Sequence, residues 1–291
     1  MTDLEALLPA LEAAGLPAEP GSARPVGGGC IHRAWRVEAG PAAIFLKTNA
    51  ASAAWMLAAE ADGLAGLAEA GELRVPAVLG QGADAGLAWL ALEWLELRTA
   101  TPRVEAELGA GLARQHSVRG PQFGWRQDNA IGASPQDNTP GEDWGRFFAR
   151  RRIGAQLELA RRNGLPAALL RDGNALVAEI PALLAERQVA PALLHGDLWG
   201  GNWAADEAGR PVVFDPAVHY GDPECDLAMT RLFGGFGPAF YEAYDAVLPP
   251  AEERDRRLRL YQLYHVLNHA NLFGGGYVDQ ARGIMRRLAR S

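Results

Sequence analysis

Residues 193–202 read Leu-Leu-His-Gly-Asp-Leu-Trp-Gly-Gly-Asn, and residues 212–216 read Val-Val-Phe-Asp-Pro. Asp197 and Asn202 stand five apart in a glycine-rich stretch that cannot be a regular helix. Asp215 follows Asn202 by thirteen residues, at the end of a short apolar strand. Hard cations such as magnesium take oxygen ligands and keep several waters. One carboxylate, one amide oxygen and the phosphates of a nucleotide are therefore enough to hold one. Asn202 and Asp215 suit that role, and Asp197 is left free to face a hydroxyl. Asp and Asn are also common as plain turn formers, but turn formation does not account for His195, the five-residue gap and the strand-end Asp215 together.

The spacing H-x-D-x-x-x-x-N followed by a strand-end Asp matches the phosphoryl-transfer template of kinases, with Gly196 where protein kinases carry Arg. The other parts of that template follow in order upstream. Of the 28 basic residues only Lys47 is a lysine. A compact ammonium and a planar guanidinium fit differently against their partners, so position 47 is marked as one that arginine does not serve. Glu60 lies on the apolar stripe of a helix, three residues after Leu57 and four before Leu64. A carboxylate there needs a partner, and a Lys47–Glu60 ion pair across strand and helix satisfies both; the alternative is a Glu60 that reaches water at the edge of the stripe. The turn Gly27-Gly28-Gly29 precedes Lys47 by about a hairpin, and backbone N–H groups of such a turn can cover phosphates, although it lacks the G-x-G-x-x-G of protein kinases. Glu93 to Glu96, with Leu95 between them, follow a long apolar strand and form the hinge where an adenine ring can meet backbone groups.

The 291 residues carry a formal net charge of −7, with 48% hydrophobic and 22% charged residues. That composition supports a sizeable core and excludes disorder. It also argues against a nucleic-acid partner, because phosphate backbones reward a positive field. No apolar run reaches the ~18–20 residues a membrane span needs. Asp3 and Glu5 stand where an export signal would be basic, and two cysteines, Cys30 and Cys225, make no disulfide framework. A reducing cytoplasm is expected.

Strands are expected within 25–47, at 75–80 and at 86–95, and a helix over 52–70 with Ser52 as its N-cap and Gly71 past its end. Beyond Leu97 helices dominate: 103–118, 142–162, 173–188, 224–233 and most of 237–290. A strand pair within 192–215 and a long loop over 119–141 interrupt them. Loops of that length are more often functional than idle. The fold class is α+β, bilobal: a small N-terminal β-sheet lobe with one long helix, residues 1–95, and a larger mostly helical C-terminal lobe, residues 96–291. Asp226 opens a helix, and its reading is structural, capping that helix and bracing the loop at His195. His116 reads as a satisfied interior histidine, Arg150–Arg152 and Arg161–Arg162 as a solvated helix face, and Trp144, Phe147 and Phe148 as core.

Over nearly the whole chain the sequence resembles the fructosamine (ketosamine) 3-kinases, a branch of the protein-kinase-like fold that also holds aminoglycoside and choline kinases. The stretches that carry the resemblance are Gly27–Trp35 (GGGCIHRAW), Ile44–Lys47, Phe123–Thr139 (FGWRQDNAIGASPQDNT), Asp143–Ala160, His195–Trp203 (HGDLWGGNW) and Phe214–Phe236 (FDPAVHYGDPECDLAMTRLFGGF). HGDxxxxN alone specifies only a small-molecule kinase of this fold; the Trp199 form of the loop and the other stretches point to the ketosamine branch. The resemblance implies ATP and Mg2+ as cofactors, Lys47 on the ATP phosphates and paired with Glu60, Asp197 as base toward a sugar 3-hydroxyl, and Asn202 and Asp215 on magnesium. Trp199 and the 123–139 loop, including Asp128 and Asn129, would border the sugar-amine pocket, where an aromatic face packs on sugar C–H groups. The implied partner is a ketosamine, small or protein-bound, and the implied outcome is deglycation by a monomer or homodimer. Two departures bear on substrate preference: His32 stands where the family usually has Asn, and Asp222-Pro223-Glu224-Cys225 replaces an acidic-arginine run. Some members carry a redox-sensitive cysteine in the glycine turn, where Cys30 sits; a non-reducing gel after peroxide that shows only monomer would argue against such a switch. The competing functions are an aminoglycoside- or choline-type phosphotransferase and a non-catalytic nucleotide-binding module; the latter predicts a missing base, metal ligand or lysine, and all are present.

Overall fold

The computed structural model describes residues 4–27 and 31–289. A short helix α1 (Leu8–Ala13) leads into a five-stranded antiparallel sheet of order β1-β2-β3-β5-β4, formed by Arg24–Val26, Arg33–Ala39, Ala42–Ala50, Val78–Asp84 (β4) and Leu87–Glu93 (β5). Pro9 is tolerated in α1 because it falls in the first turn, where its missing N–H has no partner to lose. The long helix α2 (Ala54–Ala70) crosses one face of the sheet. Strand periodicity sorts the side chains. Ile44 and Leu46 of β3, with Trp89 and Ala91 of β5, pack with Leu7 and Leu11 at α1. Leu90 and Leu92 of β5, with Phe45 of β3, pack with Leu57 and Leu64 of α2. Because β5 is covered on both faces, its sequence is almost continuously apolar. Lys47 shares the α2 face with Phe45.

The same helix also meets the rest of the molecule. A Cβ on Gly66 would stand 2.8 Å from the Trp125 ring, so glycine permits that close approach. Trp125 donates its indole N–H to Asp62 at 2.6 Å. Beyond β5 come α3 (Pro102–Gln115), a hairpin β6–β7 (Asn129–Ile131, Ser134–Gln136) and α4 (Trp144–Phe147). A π-helical segment (Phe148–Gly154), α5 (Ala155–Arg162) and α6 (Ala167–Leu183) follow. Two ribbons then build the floor of the cleft: β8 (Ala192–Leu194) pairs with β11 (His219–Gly221), and β9 (Trp203–Ala205) pairs with β10 (Pro211–Val213). Helices α7 (Glu224–Thr230), α8 (Pro238–Val247), α9 (Arg254–Phe273) and α10 (Gly276–Leu288) complete the helical lobe around one large apolar cluster that includes Trp144, Phe147 and Phe148. No helix among the described residues is long and apolar enough to cross a membrane.

Several local expectations are corrected. Ser52 is not an N-cap: it lies inside a 3-10 turn (Ala51–Ala53), and α2 starts without a side-chain cap. Gly71 does end α2, in the left-handed conformation. The 119–141 stretch contains the β6–β7 hairpin. The single strand pair expected within 192–215 is two ribbons, because β8 takes its partner from beyond that window. Helix α6 starts after Pro166, earlier than residue 173; the turn-like Asp172-Gly173-Asn174 lies inside it. Arg152 is not on a solvated face. It is buried, donating to the Asp137 carbonyl at 2.6 Å and to Asn138 Oδ1 at 2.7 Å.

Candidate active site

The loop between β8 and β9 carries His195, Asp197 and Asn202, and Asp215 lies between β10 and β11, so both ribbons converge on one cleft. The loop backbone is held from behind by Asp226 in the first turn of α7. Its two carboxylate oxygens accept the N–H groups of His195 and Gly196, each at 2.8 Å, and Oδ2 also meets Nε2 of His116 at 3.1 Å. Nδ1 of His116 lies 2.8 Å from the Tyr244 hydroxyl. Burial pushes the Asp226 carboxyl up, but the His116 and backbone donors outweigh it and hold the group below the usual carboxylate range. Asp226 is thus a brace rather than the helix cap; the cap position is Pro223, and Asp222 accepts the Glu224 N–H at 3.0 Å. Gly196 adopts φ +85°, and a Cβ there would stand 2.0 Å from the Ala217 carbonyl oxygen. Arginine cannot occupy that position in this backbone.

His195 is buried, and burial lowers its pKa. Nε2 lies 3.1 Å from the Phe214 carbonyl, which can only accept, so Nε2 carries the proton. Nδ1 then accepts the Asp197 N–H at 3.3 Å. A neutral imidazole therefore ties the Asp197 strand of the loop to the strand leading into Asp215. The Asn202 amide nitrogen donates to the Asp197 carbonyl at 2.9 Å and reaches Asp197 Oδ2 and the Asp215 carbonyl at 3.4 Å. Its Oδ1 has no donor among the described residues.

Lys47 enters from the sheet. It is 6% exposed, and its ammonium contacts Glu60 at 2.6 Å and Asp215 Oδ1. Burial works against its charge, but Glu60 and then Asp215 outweigh burial and hold the ammonium above its usual range. Burial pushes Glu60 up to about 7 against the pull of Lys47. Asp215 sits at φ +56°, uncommon for a residue with a side chain. Burial raises its pKa and Lys47 overcomes that, leaving it lowered. Asp197 is pushed up to about 7, first by burial and then by Asp215 and Asp226, with Asn202 opposing. One ammonium thus contacts two carboxylates, Glu60 and Asp215, and Asp197 lies near enough to Asp215 for the two to repel, a repulsion that a bound cation would relieve. Among the described residues no group of three His, Cys, Asp or Glu side chains is arranged to hold a metal alone.

The other predicted residues fall out as follows. Gly27 is exposed, with no positive φ and no atom of the described residues near its Cβ position, so nothing among the described residues demands glycine there. Gly28, Gly29 and Cys30 lie outside the described residues. Glu93 ends β5, and its carboxylate is committed to Arg74 at 2.8 Å and the Ala77 N–H at 3.2 Å. Its backbone N–H is committed as well, to the Ala77 carbonyl at 2.9 Å; Leu95 follows, half-buried. Trp199 is 39% exposed, edge-on to Phe233 with ring centroids 6.5 Å apart. Asn129 is a correction. It is 3% exposed; its amide donates to the Val218 carbonyl at 2.7 Å and its oxygen accepts from Gln136 and Asn138. That side chain supports the hairpin and is not offered to a substrate. Asp128 is exposed, but one carboxylate oxygen is taken by the Asn138 N–H at 2.8 Å. The departure at 222–225 is structural as well: Asp222 pairs with Arg187 and the Tyr261 hydroxyl, and Glu224 with Arg257.

Two contributors are absent from the sequence reading. Arg74 joins Glu93 at the hinge to Asp206 between β9 and β10; the surplus of arginines hides it. Asn49 follows Lys47 on the same strand face and holds His32 at 2.9 Å. The period-two rule applied to β3 would have singled it out.

A family profile described as fructosamine kinase matches residues 9–291. A protein of Synechocystis named a probable ketoamine kinase is 45% identical over 92% of this chain and 90% of its own length. The chloroplastic protein-ribulosamine 3-kinase of Arabidopsis thaliana is 39% identical over 89% of this chain and 80% of its own. The crystal structure of a candidate fructosamine-3-kinase from Thermobifida fusca superposes with a TM-score of 0.87, at 32% identity and with full coverage of both chains. The sheet lobe, the helical lobe and the cleft between them are the bilobal kinase-like architecture expected from the resemblance, and the chain belongs to the fructosamine kinase family.

Proposed function

We propose that this chain is an ATP-dependent kinase that phosphorylates the 3-hydroxyl of ketosamines, fructosamine or ribulosamine adducts of amines or protein lysines. The observation that carries the reading is the meeting of Lys47, from the sheet, with Asp215, beside an Asp197–Asn202 pair held by Asp226. Residues 1–95 form the ATP-binding lobe and residues 96–291 the catalytic and substrate-binding lobe. Lys47, oriented by Glu60, binds nucleotide phosphates, and backbone groups at Glu93–Leu95 meet the adenine.

Asp215 and Asn202 fit Mg2+. The Asn202 nitrogen is spent on Asp197, which leaves its oxygen for a hard cation, and a two-ligand protein set suits an ion that takes the rest from phosphates and water. Mg2+ supplies neutralisation of charge on the transferred phosphoryl group. Asp197 accepts a hydrogen bond from the acceptor hydroxyl, orients it, and takes its proton as the new P–O bond forms and the bond from the terminal phosphorus to the departing ADP breaks. Positioning and charge do most of the work in such a transfer. Trp199 gives the sugar an apolar face. A 3-phosphorylated ketosamine eliminates readily and releases the free amine, so the biological outcome is deglycation. The buried free thiol of Cys225 suits a reducing cytoplasm.

The test is a phosphate-transfer screen with fructosyl-lysine, ribulosyl-lysine, aminoglycosides and choline, with the product mapped. Transfer to the ketosamine 3-hydroxyl is expected. Transfer to an aminoglycoside or choline alone would move the chain to another substrate class.

A further inference from the structure

Asn49 lies two residues beyond Lys47 on β3, so the two side chains leave the same face of the sheet. Its amide nitrogen donates to the Ile31 carbonyl at 3.1 Å and lies 2.9 Å from Nδ1 of His32. Its oxygen accepts the Ala50 N–H at 2.8 Å. A carbonyl only accepts and a backbone N–H only donates, so both ends of this amide are assigned by their partners. Nδ1 of His32 is therefore the acceptor of the pair, and the neutral ring carries its proton on Nε2. That nitrogen has no hydrogen-bond partner among the described residues.

The ring lies at the Lys47 end of the sheet: Ala34 pairs with Lys47 and Arg33 with Thr48 across β2 and β3, and His32, next along, meets Asn49. Burial and then the Lys47 ammonium hold its pKa down to about 4 against the pull of Asp215, so both charged groups act on it and it is uncharged at neutral pH. The segment is also seated against the opposite lobe: the Ile31 side chain comes within 3.3 Å of a Cβ built on Gly132, in the β6–β7 turn. An uncharged donor beside Lys47 adds a hydrogen bond for an anion without a second positive charge to repel the first.

We propose that His32 is a phosphate-binding residue of the nucleotide site, donating Nε2–H to a phosphate oxygen, and that Asn49 is the positioning residue that fixes its tautomer. The inference rests on the kinase reading above. It adds to Lys47 a recognition element for phosphate that is neutral and directional.

The test is calorimetric titration of Mg-AMP-PNP into wild type, H32A, H32Q and N49A, with two-bond 1H–15N spectra of the histidine rings. A hydrogen bond to a charged partner predicts roughly tenfold weaker binding for H32A, with H32Q, which keeps a neutral N–H donor, recovering most of the loss. The spectra should show His32, identified by its absence in H32Q, as the Nε2–H tautomer in wild type, with N49A losing that preference. H32A binding within about twofold of wild type, or an Nδ1–H tautomer in wild type, overturns the proposal while the kinase reading stands. A wild type that binds no Mg-AMP-PNP overturns the kinase reading and this inference together. Should H32A fail to fold, H32Q weakened as much as tenfold and no tautomer change in N49A would still refute it.

Discussion

Two loops of this chain carry Asp and Asn side chains, and they use them in opposite ways. In the 195–202 loop the backbone is held by an outside group, Asp226, with His116 and Tyr244 behind it. Asp197 and Asn202 are thereby free to meet in the cleft. In the 123–139 loop the amide side chains are consumed as scaffold, within the loop and against the Ala217 and Val218 carbonyls. Gln136 and Asn138 both donate to the Asn129 oxygen, and the buried Arg152 is tied to Asn138 and the Asp137 carbonyl. A polar loop can display its side chains only where something else satisfies its backbone. That is the difference between a site and a scaffold here.

Substitutions in the two loops should therefore fail differently. The largest effect is expected from Asp197→Ala, which should lower turnover by about three orders of magnitude while Mg-AMP-PNP still binds; an active variant removes the base assignment. Asp226→Ala should cost about 3 kcal/mol or more in chemical denaturation, because it leaves buried donors unpaired, and it should lower turnover as well. If stability falls and turnover per folded molecule does not, the brace is irrelevant to the site. Lys47→Arg keeps the charge but cannot place a guanidinium between Glu60 and Asp215 as the compact ammonium is placed. Turnover lower by about a hundredfold is expected, and near-normal activity would make the lone lysine an accident.

Asn129→Ala and Trp199→Ala sharpen the contrast. The first should cost about 1–3 kcal/mol of stability with the ketosamine KM unchanged. The second should raise that KM about tenfold with the melting temperature held, since the ring is exposed. The reverse assignment would return Asn129 to the substrate pocket.

The smallest effect concerns the strut between hinge and ribbon. Burial pushes Asp206 up, but the backbone and side chain of Arg210 and then Arg74 hold it at about 2. A carboxyl lowered on folding contributes stability that is full above its unfolded pKa near 4 and is lost as pH falls through 2. The stability gap between wild type and Asp206→Asn should therefore shrink from pH 4 toward pH 2. A gap that stays constant in denaturant melts over that range contradicts it.

The ion pair of Lys47 and Glu60 and the cluster of Asp197, Asn202 and Asp215 were legible because each was a break in a pattern. One lysine stands among arginines, one carboxylate on an apolar stripe, and one Asp just beyond a short apolar strand. The brace at Asp226 was legible too, since a carboxylate beginning a helix near a tight loop has few uses. Asn129 was misread because turn-forming and ligand-binding amides have the same local sequence; only the distant Val218 carbonyl decides between them. The burial of Arg152 was hidden for a similar reason. An arginine run reads as solvated unless carbonyls from another element wait beneath it. Helix starts without side-chain caps, as at α2, leave no local mark at all.

The most direct measurement is a crystal structure of the chain with Mg2+ and AMP-PNP. The account predicts a cation held by the Asp215 carboxylate and Asn202 oxygen, phosphates on Lys47, and Asp197 turned toward the terminal phosphate from the open side. Nucleotide bound away from those four side chains, or a cation that ignores both Asn202 and Asp215, would contradict it.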